Sequence, residues 1–341
     1  MTVQPIAIKR TGLVTSVGLS APAACAAIRA KIGNPTETRF MGNDGEWIMA
    51  HQVPLEQPWR GLTKLVKMAA MAIAECLDQI PHESWSGIPL LLCVAERERP
   101  GRLDGLDDRL LAGIEQELGL QFAIGSAIIP QGRVGAAIAL AEAHKLVYGD
   151  KAPLVLIAAT DSLLTWPTLS SYERAERLLS SGNSNGFIPG EAAGALLIGR
   201  PSGPGELQCI GIGFGTEPAP IDSDEPLRAD GLATAIRAAL SEARCELHDL
   251  DARIADLSGE QYSFKEAALA LSRILRQRKA AFDLWHPAEC IGESGAAAGI
   301  AMLAVADAAC RKAYSAGPNL LFHCANDAGR RAAAILRFKG A

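Results

Sequence analysis

The stretch "SAIIPQGRVGAAIALAEAHKLVYGD" (residues 126–150) reads as a short apolar strand, a tight turn through Pro130, Gln131 and Gly132, and an alanine-rich helix. A strand that turns sharply into a helix sets its turn residue at the helix N-terminus. There, free backbone N–H groups and the helix dipole favour negative charge. Many α/β enzymes hold a nucleophile at such an elbow, but this turn offers glycine and no serine, threonine or cysteine. Either the chemistry lies elsewhere, or the chain has kept a catalytic shape without the catalysis.

Working outward, the elbow has an echo. "GRVGAAIALAEAHKLV" from Gly132 parallels "GAAAGIAMLAVADAAC" from Gly295, "GLTKLVKMAAMAIAECL" from Gly61 parallels "GLATAIRAALSEARCEL" from Gly231, and "APLVLIAATDS" from Ala152 parallels "GPNLLFHCANDA" from Gly317. Three matches in one order, at an offset of about 165 residues, predict a duplicated α/β unit. Strands are expected at residues 6–8, 90–94, 154–158 and 195–198. A helix is expected over residues 61–80, with Leu65, Met68, Ala69 and Ile73 on its buried face. The Gly/Pro stretch "GRPSGPGELQ" (199–208) suits a crossover, which divides the chain into halves at 1–203 and 204–341. In a duplicated fold the site falls between the repeats, so the Gly132 turn and the "IGESGAAAG" turn (291–299) should face each other.

Composition narrows the function. The 341 residues are 49% hydrophobic and 21% charged, an ordinary globular mix, and the net charge of −5 supplies no basic excess for nucleic acid. No apolar run reaches the roughly 18 residues of a membrane span, and the N-terminus lacks a signal-peptide pattern, so a cytoplasmic protein that binds neither membrane nor nucleic acid is expected. The eight cysteines lie scattered without a CxxC pair, which predicts buried small hydrophobes and no metal site. Aromatics are only 5%, and alanine and glycine favour close helix-on-sheet packing. The basic run "ILRQRK" (274–279) reads as a solvated helix face. "GIGFG" (211–215) is followed by "TEPAPIDSDEP" and no helix, so it is not expected to cradle phosphate. The charged segment "AERERPGRLDGLDDRLL" (95–111) reads as an exposed loop leading into a helix.

"NGFIPGEAAGALLIG" (185–199) resembles the glycine-rich segment of the β-ketoacyl synthases. "TGLVTSVG" (11–18), "ATDSLL" (159–164) and residues 211–240 are similar, in the same order, to that family's first strand-turn, its post-nucleophile strand and the opening of its second half. The resemblance covers nearly the whole chain. It implies a duplicated thiolase-like fold, layered α-β-α-β-α, in a homodimer that needs no cofactor and no metal. It also implies an elbow cysteine acylated by a thioester and two histidines that assist decarboxylation. A helix N-terminus favours the thiolate, and backbone N–H groups form the oxyanion hole.

The chain departs from that pattern at five places. Gly132 stands at the nucleophile position, and Glu293 stands where the second histidine would be. Ala288 takes the place of the expected lysine. Ser258, with Ala255 as the ungapped alternative, matches the first histidine, and "ANDAGRRAA" (325–333) replaces a Gly-Phe-Gly-Gly-Thr-Asn loop. Cys290 and Cys324 are the candidates for a relocated thiol, and His286 and His323 are the histidines that could serve one. Glu293 reads as a helix-capping or pocket-lining carboxylate, and Glu191 as a buried group held by backbone or a basic residue. The expectation is a protein that has lost condensing activity and acts as a binding, adaptor or chaperone protein, for example accessory to a secretion effector. The alternatives are an acyltransferase or condensing enzyme with a non-standard site, acting on acyl carrier protein or coenzyme A thioesters, and the non-catalytic subunit of a heterodimer with an active ketosynthase.

Overall fold

The computed structural model describes residues 4–340. The first half of the chain runs β1 (Ile6–Val14), α1 (Ala21–Arg29), the hairpin of β2 (Thr36–Met41) and β3 (Trp47–Ala50), α2 (Gly61–Leu77), β4 (Leu90–Val94), α3 (Arg109–Leu118), β5 (Ala127–Pro130), α4 (Gly135–Tyr148), β6 (Leu154–Ser162), α5 (Trp166–Arg174) and β7 (Glu191–Gly199). The second runs β8 (Glu206–Thr216), α6 (Asp230–Ala243), β9 (Ala252–Ala255), α7 (Gln261–Ile274), β10 (Asp283–Trp285), α8 (Ala288–Ile291), α9 (Ala298–Arg311), β11 (Asn319–Ala325) and β12 (Arg330–Lys339).

The strands lie in the order β10-β9-β11-β12-β8-β1-β7-β6-β4-β5. Each half repeats one plan. β4 runs parallel to β5 and β6, and β7 runs antiparallel to both β6 and β1. In the same way β9 runs parallel to β10 and β11, and β12 runs antiparallel to both β11 and β8. The three sequence echoes fall on α2 and α6, on α4 and α9, and on β6 and β11, which occupy matching places in this plan. β1 and β8 join the half-sheets through only three residue pairs, Ile6–Ile8 against Leu207–Cys209.

Three cores define five layers. α2 and α3 cover the outer face of the first half-sheet, α6 and α7 cover that of the second, and α4 and α9 lie between the inner faces. Small residues make the middle layer possible: a Cβ on Gly299 of α9 would fall 2.6 Å from the Ala136 Cβ of α4. Ile300 of α9 is fully buried between the sheets, and truncating it to alanine should cost about 2–5 kcal/mol. "GIGFG" is the end of β8. Its alternating glycines 211, 213 and 215 turn one face toward α6, whose backbone would overlap a Cβ at each. Close helix-on-strand approach explains this motif.

Leu65, Met68, Ala69 and Ile73 are all buried on α2, as the periodicity predicts. Two expectations need correction. The basic run 274–279 begins where α7 ends and is loop for the rest. The charged segment 95–111 is a loop leading into α3, but it is only partly exposed: Arg99 and Leu106 are buried, because the chain turns inward after β4 and finds carboxylates to pair with the guanidinium. No helix among the described residues is long and apolar enough to cross a membrane.

Candidate functional site

The two elbows face each other at the centre of the molecule. Gly132 leads a single 3-10 turn into α4, Gly295 leads another into α9, and both have φ of +56°. That left-handed conformation is easy for glycine and strained for other residues, so each sharp entry into a helix favours glycine at this point. The space above each is occupied by a carboxylate. A Cβ on Gly132 would overlap Glu96 Oε2 and lie 2.8 Å from the Glu96 carboxyl carbon; a Cβ on Gly295 would overlap Asp161 Oδ2 and lie 2.8 Å from its carboxyl carbon.

Arg99 binds both carboxylates. Its Nη1 donates to Asp161 Oδ2 at 2.6 Å, and Nη2 and Nε donate to the two Glu96 oxygens at 2.8 and 3.2 Å. Burial raises the Glu96 carboxyl pKa, but the Arg99 charge and hydrogen bonds outweigh it and hold the group below its ordinary value. Asp161 Oδ2 also accepts from Ala296 N at 2.7 Å, and Glu293 Oε1 accepts from Gly295 N at 2.9 Å. The Gly295 and Ala296 N–H groups of the turn into α9 are therefore already committed to side-chain carboxylates.

A second set of charges adjoins the first. Arg133, the residue after the Gly132 elbow, donates to Glu293 at 2.9 Å and to Asp327 at 2.8 Å, with Asp256 at 3.7 Å. Arg177 donates to Asp327 at 2.7 Å and takes both oxygens of Glu260 at 2.7 and 2.9 Å. Burial pushes the Asp256 carboxyl up to about 6 against the opposing pull of Arg133. Burial also opposes ionisation of Asp327, yet Arg133 and Arg177 hold it well below the usual carboxylate range. Two small cavities of about 10 Å³ each, with room for about one water molecule apiece, lie among these groups, one beside Glu96 and Arg177 and the other beside Asp256.

The sequence candidates separate in space. Gly132 and Glu293 belong to this centre, joined through Arg133, and Glu293 also caps the turn into α9. Ser258 is half-buried in the loop after β9, while its neighbour Asp256 reaches the network. Ala255 is buried at the end of β9 and Ala288 opens α8. Cys324 and His323 alternate on β11. Cys324 faces the central core, and His323 lies on the opposite face, its Nε2 without a partner. They therefore form no dyad. Cys290 points at the Ile28 carbonyl, with Sγ–O 4.0 Å, while His286 packs edge-on against Phe264 at 5.8 Å. Burial pushes the Cys290 thiol up to about 11 and raises Cys324 well above its ordinary value. Glu191 accepts from Val53 N and Ser162 Oγ and pairs with Lys64, a buried carboxylate satisfied by backbone and base.

Glu96, Arg99, Arg133, Asp161, Arg177, Asp256 and Asp327 were not singled out by motif reading. A signal did exist. Glu96, Asp161, Asp256 and Asp327 sit at or just past the carboxyl ends of β4, β6, β9 and β11, where open α/β sheets place their functional groups.

No protein-family model matches the sequence, and no curated protein is similar to it at a significant level. Solved structures are similar over the whole chain. The ishigamide ketosynthase/chain length factor superposes with a TM-score of 0.82 at 16% identity, covering 99% of this chain and 100% of that one. The ketosynthase ApeO in complex with its chain length factor ApeC, from Xenorhabdus doucetiae, gives 0.75 at 12% identity, with 98% of each chain covered. An oxazolomycin ketosynthase domain gives 0.80 at 13% identity, covering 98% of this chain and 74% of that one. At these identities the likeness speaks to architecture, and on that ground the chain has the duplicated thiolase-like fold of the ketosynthases and chain length factors.

Proposed function

We propose that this is a ketosynthase-like protein without condensing activity, which works by binding a protein partner. The observation that carries the reading is the Glu96 carboxylate seated over Gly132. Acyl transfer in this fold needs a thiolate at the elbow and room for an acyl chain beside it. Here the residue has no side chain, the neighbouring space holds paired charges, and carboxylates at the elbow disfavour both a thiolate and an oxyanion. The two halves, which we divide between residues 203 and 204, act as one cytoplasmic unit.

The partner is a second chain of the same fold. β5 is an open edge of the sheet, and the segment leading to it exposes Ile124 fully. An uncovered apolar edge strand is a template for pairing with another chain. A homodimer fits an adaptor, and a heterodimer with an active ketosynthase fits a non-catalytic subunit. Among the structural neighbours, ApeO is in complex with its chain length factor, and another ketosynthase is in complex with an acyl carrier protein. This favours the subunit reading over service to a secretion effector. Native mass spectrometry of the chain, alone and mixed with a ketosynthase expressed from the same cell, tests it. A one-to-one heterodimer with the ketosynthase is expected; a homodimer that never exchanges would favour the adaptor.

A further inference from the structure

A cleft of about 560 Å³ opens on the far side of β6 from the elbows, between β2, the start of α2 and the start of α5. Its size is that of a small-molecule site. Its lining is cationic and aromatic in a chain whose net charge is −5. Arg39, Arg60 and Lys64 contribute three positive charges. Lys64 is neutralised by Glu191, the one carboxylate of the lining, and among the described residues neither Arg39 nor Arg60 is in an ion pair. Phe40 and Trp166 stack at 6.0 Å with an interplanar angle of 29°, and Trp166 is 46% exposed. Trp59 adds a second indole, and Arg39 already lies over the Phe40 ring at 4.9 Å. The α2 N-terminus enters the same cleft without a side-chain cap, and the position of a Gly61 Cβ is open space.

We infer that this cleft binds a planar aromatic molecule bearing a phosphate or carboxylate, its ring against Trp166 and its anion between Arg39 and Arg60. Guanidinium groups suit both halves of such a ligand, because they stack on rings and grip planar or tetrahedral anions through paired N–H donors. The uncapped helix start adds further donors of the same polarity. The comparably sized cleft on the other side of the β2–β3 hairpin sharpens the assignment. Asp44, Glu46 and Glu176 line that one, so an anion discriminates between the two.

The site does not depend on whether the elbow is catalytic. Titration of the full-length protein, followed by tryptophan fluorescence and calorimetry, uses adenosine 5′-monophosphate, 4-nitrophenyl phosphate and 2-naphthoate as aromatic anions. Adenosine and inorganic phosphate supply the ring and the charge separately. At least one aromatic anion should bind about tenfold more tightly than either control. Whether the phosphates or the naphthoate bind best identifies the anionic group. Arg39→Glu with Arg60→Glu should weaken that binding by about tenfold or more, and Trp166→Leu should weaken it while leaving free phosphate unaffected. Should the double charge reversal fail to fold, Arg39→Gln with Arg60→Gln carries the same expectation. No binding of any aromatic anion at millimolar concentration, or an affinity unchanged in the arginine variants, overturns the assignment.

Discussion

Glu96 sits over Gly132, its carboxyl carbon 2.8 Å from where a β-carbon on that glycine would be, and it is held there by Nε and Nη2 of the Arg99 guanidinium. The second elbow repeats the arrangement with Asp161 over Gly295 and the same arginine between them. A symmetric pair of turns that could each present a side chain to a shared cavity is instead locked by one buried cation.

Placing a cysteine at the elbow should not create a site. Gly132→Cys forces a side chain into a left-handed φ and into the Glu96 carboxylate, and should cost about 3 kcal/mol in chemical denaturation. Adding Glu96→Ala should recover part of that loss, a coupling visible in a double-mutant cycle. Equal destabilisation with and without Glu96 would show that the carboxylate does not occupy the position.

Arg99→Met leaves Glu96 and Asp161 buried without their cation. A loss of about 3–5 kcal/mol is expected, since removing one member of a buried ionic group strands the others. Neutralising the carboxylates together, with Glu96→Gln and Asp161→Asn in the Arg99→Met background, should return much of the stability. A Met variant as stable as the parent would place the triad outside the folding core.

Stability should depend on pH through groups of opposite sign. Burial, followed by the nearby Arg253 charge, pushes His323 down to about 3 from an ordinary 6.5. Between these values the unfolded chain binds a proton that the native chain refuses, so stability falls as pH falls through this window. Asp256, raised to about 6, works the other way: its contribution is present at low pH and is lost as pH rises through 6. His323→Leu should therefore flatten the acid limb by up to about 1.4 kcal/mol per pH unit between roughly pH 6 and 4, and Asp256→Asn should steepen it. Urea melts across that range read both slopes.

The thiols should be quiet. Seven of the eight cysteines are buried, and Cys245 alone is half-buried. A neutral alkylating probe should label Cys245 first, with Cys290 and Cys324 protected until the protein unfolds. Rapid native labelling of Cys290 or Cys324 would revive a relocated nucleophile.

The fold was largely legible, because duplication leaves its mark on residue spacing: the glycines opening α2, α6 and the two elbows recur at matched positions, and alanine-rich helices announce close packing. That the turn at Gly132 carries no nucleophilic side chain is a fact of the sequence. The charge lock was not legible. "AERERPGRLDGLDDRLL" has the composition of a solvated loop, and nothing in a one-dimensional pattern says that Arg99 turns inward to meet Asp161, 62 positions later in the chain. Pairing across the repeats, such as Arg133 with Glu293 and Asp327, is likewise a property of the assembled layers and not of local propensity. The cause of the glycines in "GIGFG", contact with the α6 backbone, needed the structure.

The most direct test of the central claim is intact-mass analysis of the purified protein after incubation with a panel of acyl-coenzyme A and acyl carrier protein thioesters. The account predicts an unchanged mass with every donor, because the elbow holds glycine beneath a paired carboxylate. A stoichiometric acyl adduct mapping to a single residue would contradict it and identify a working nucleophile elsewhere in the chain.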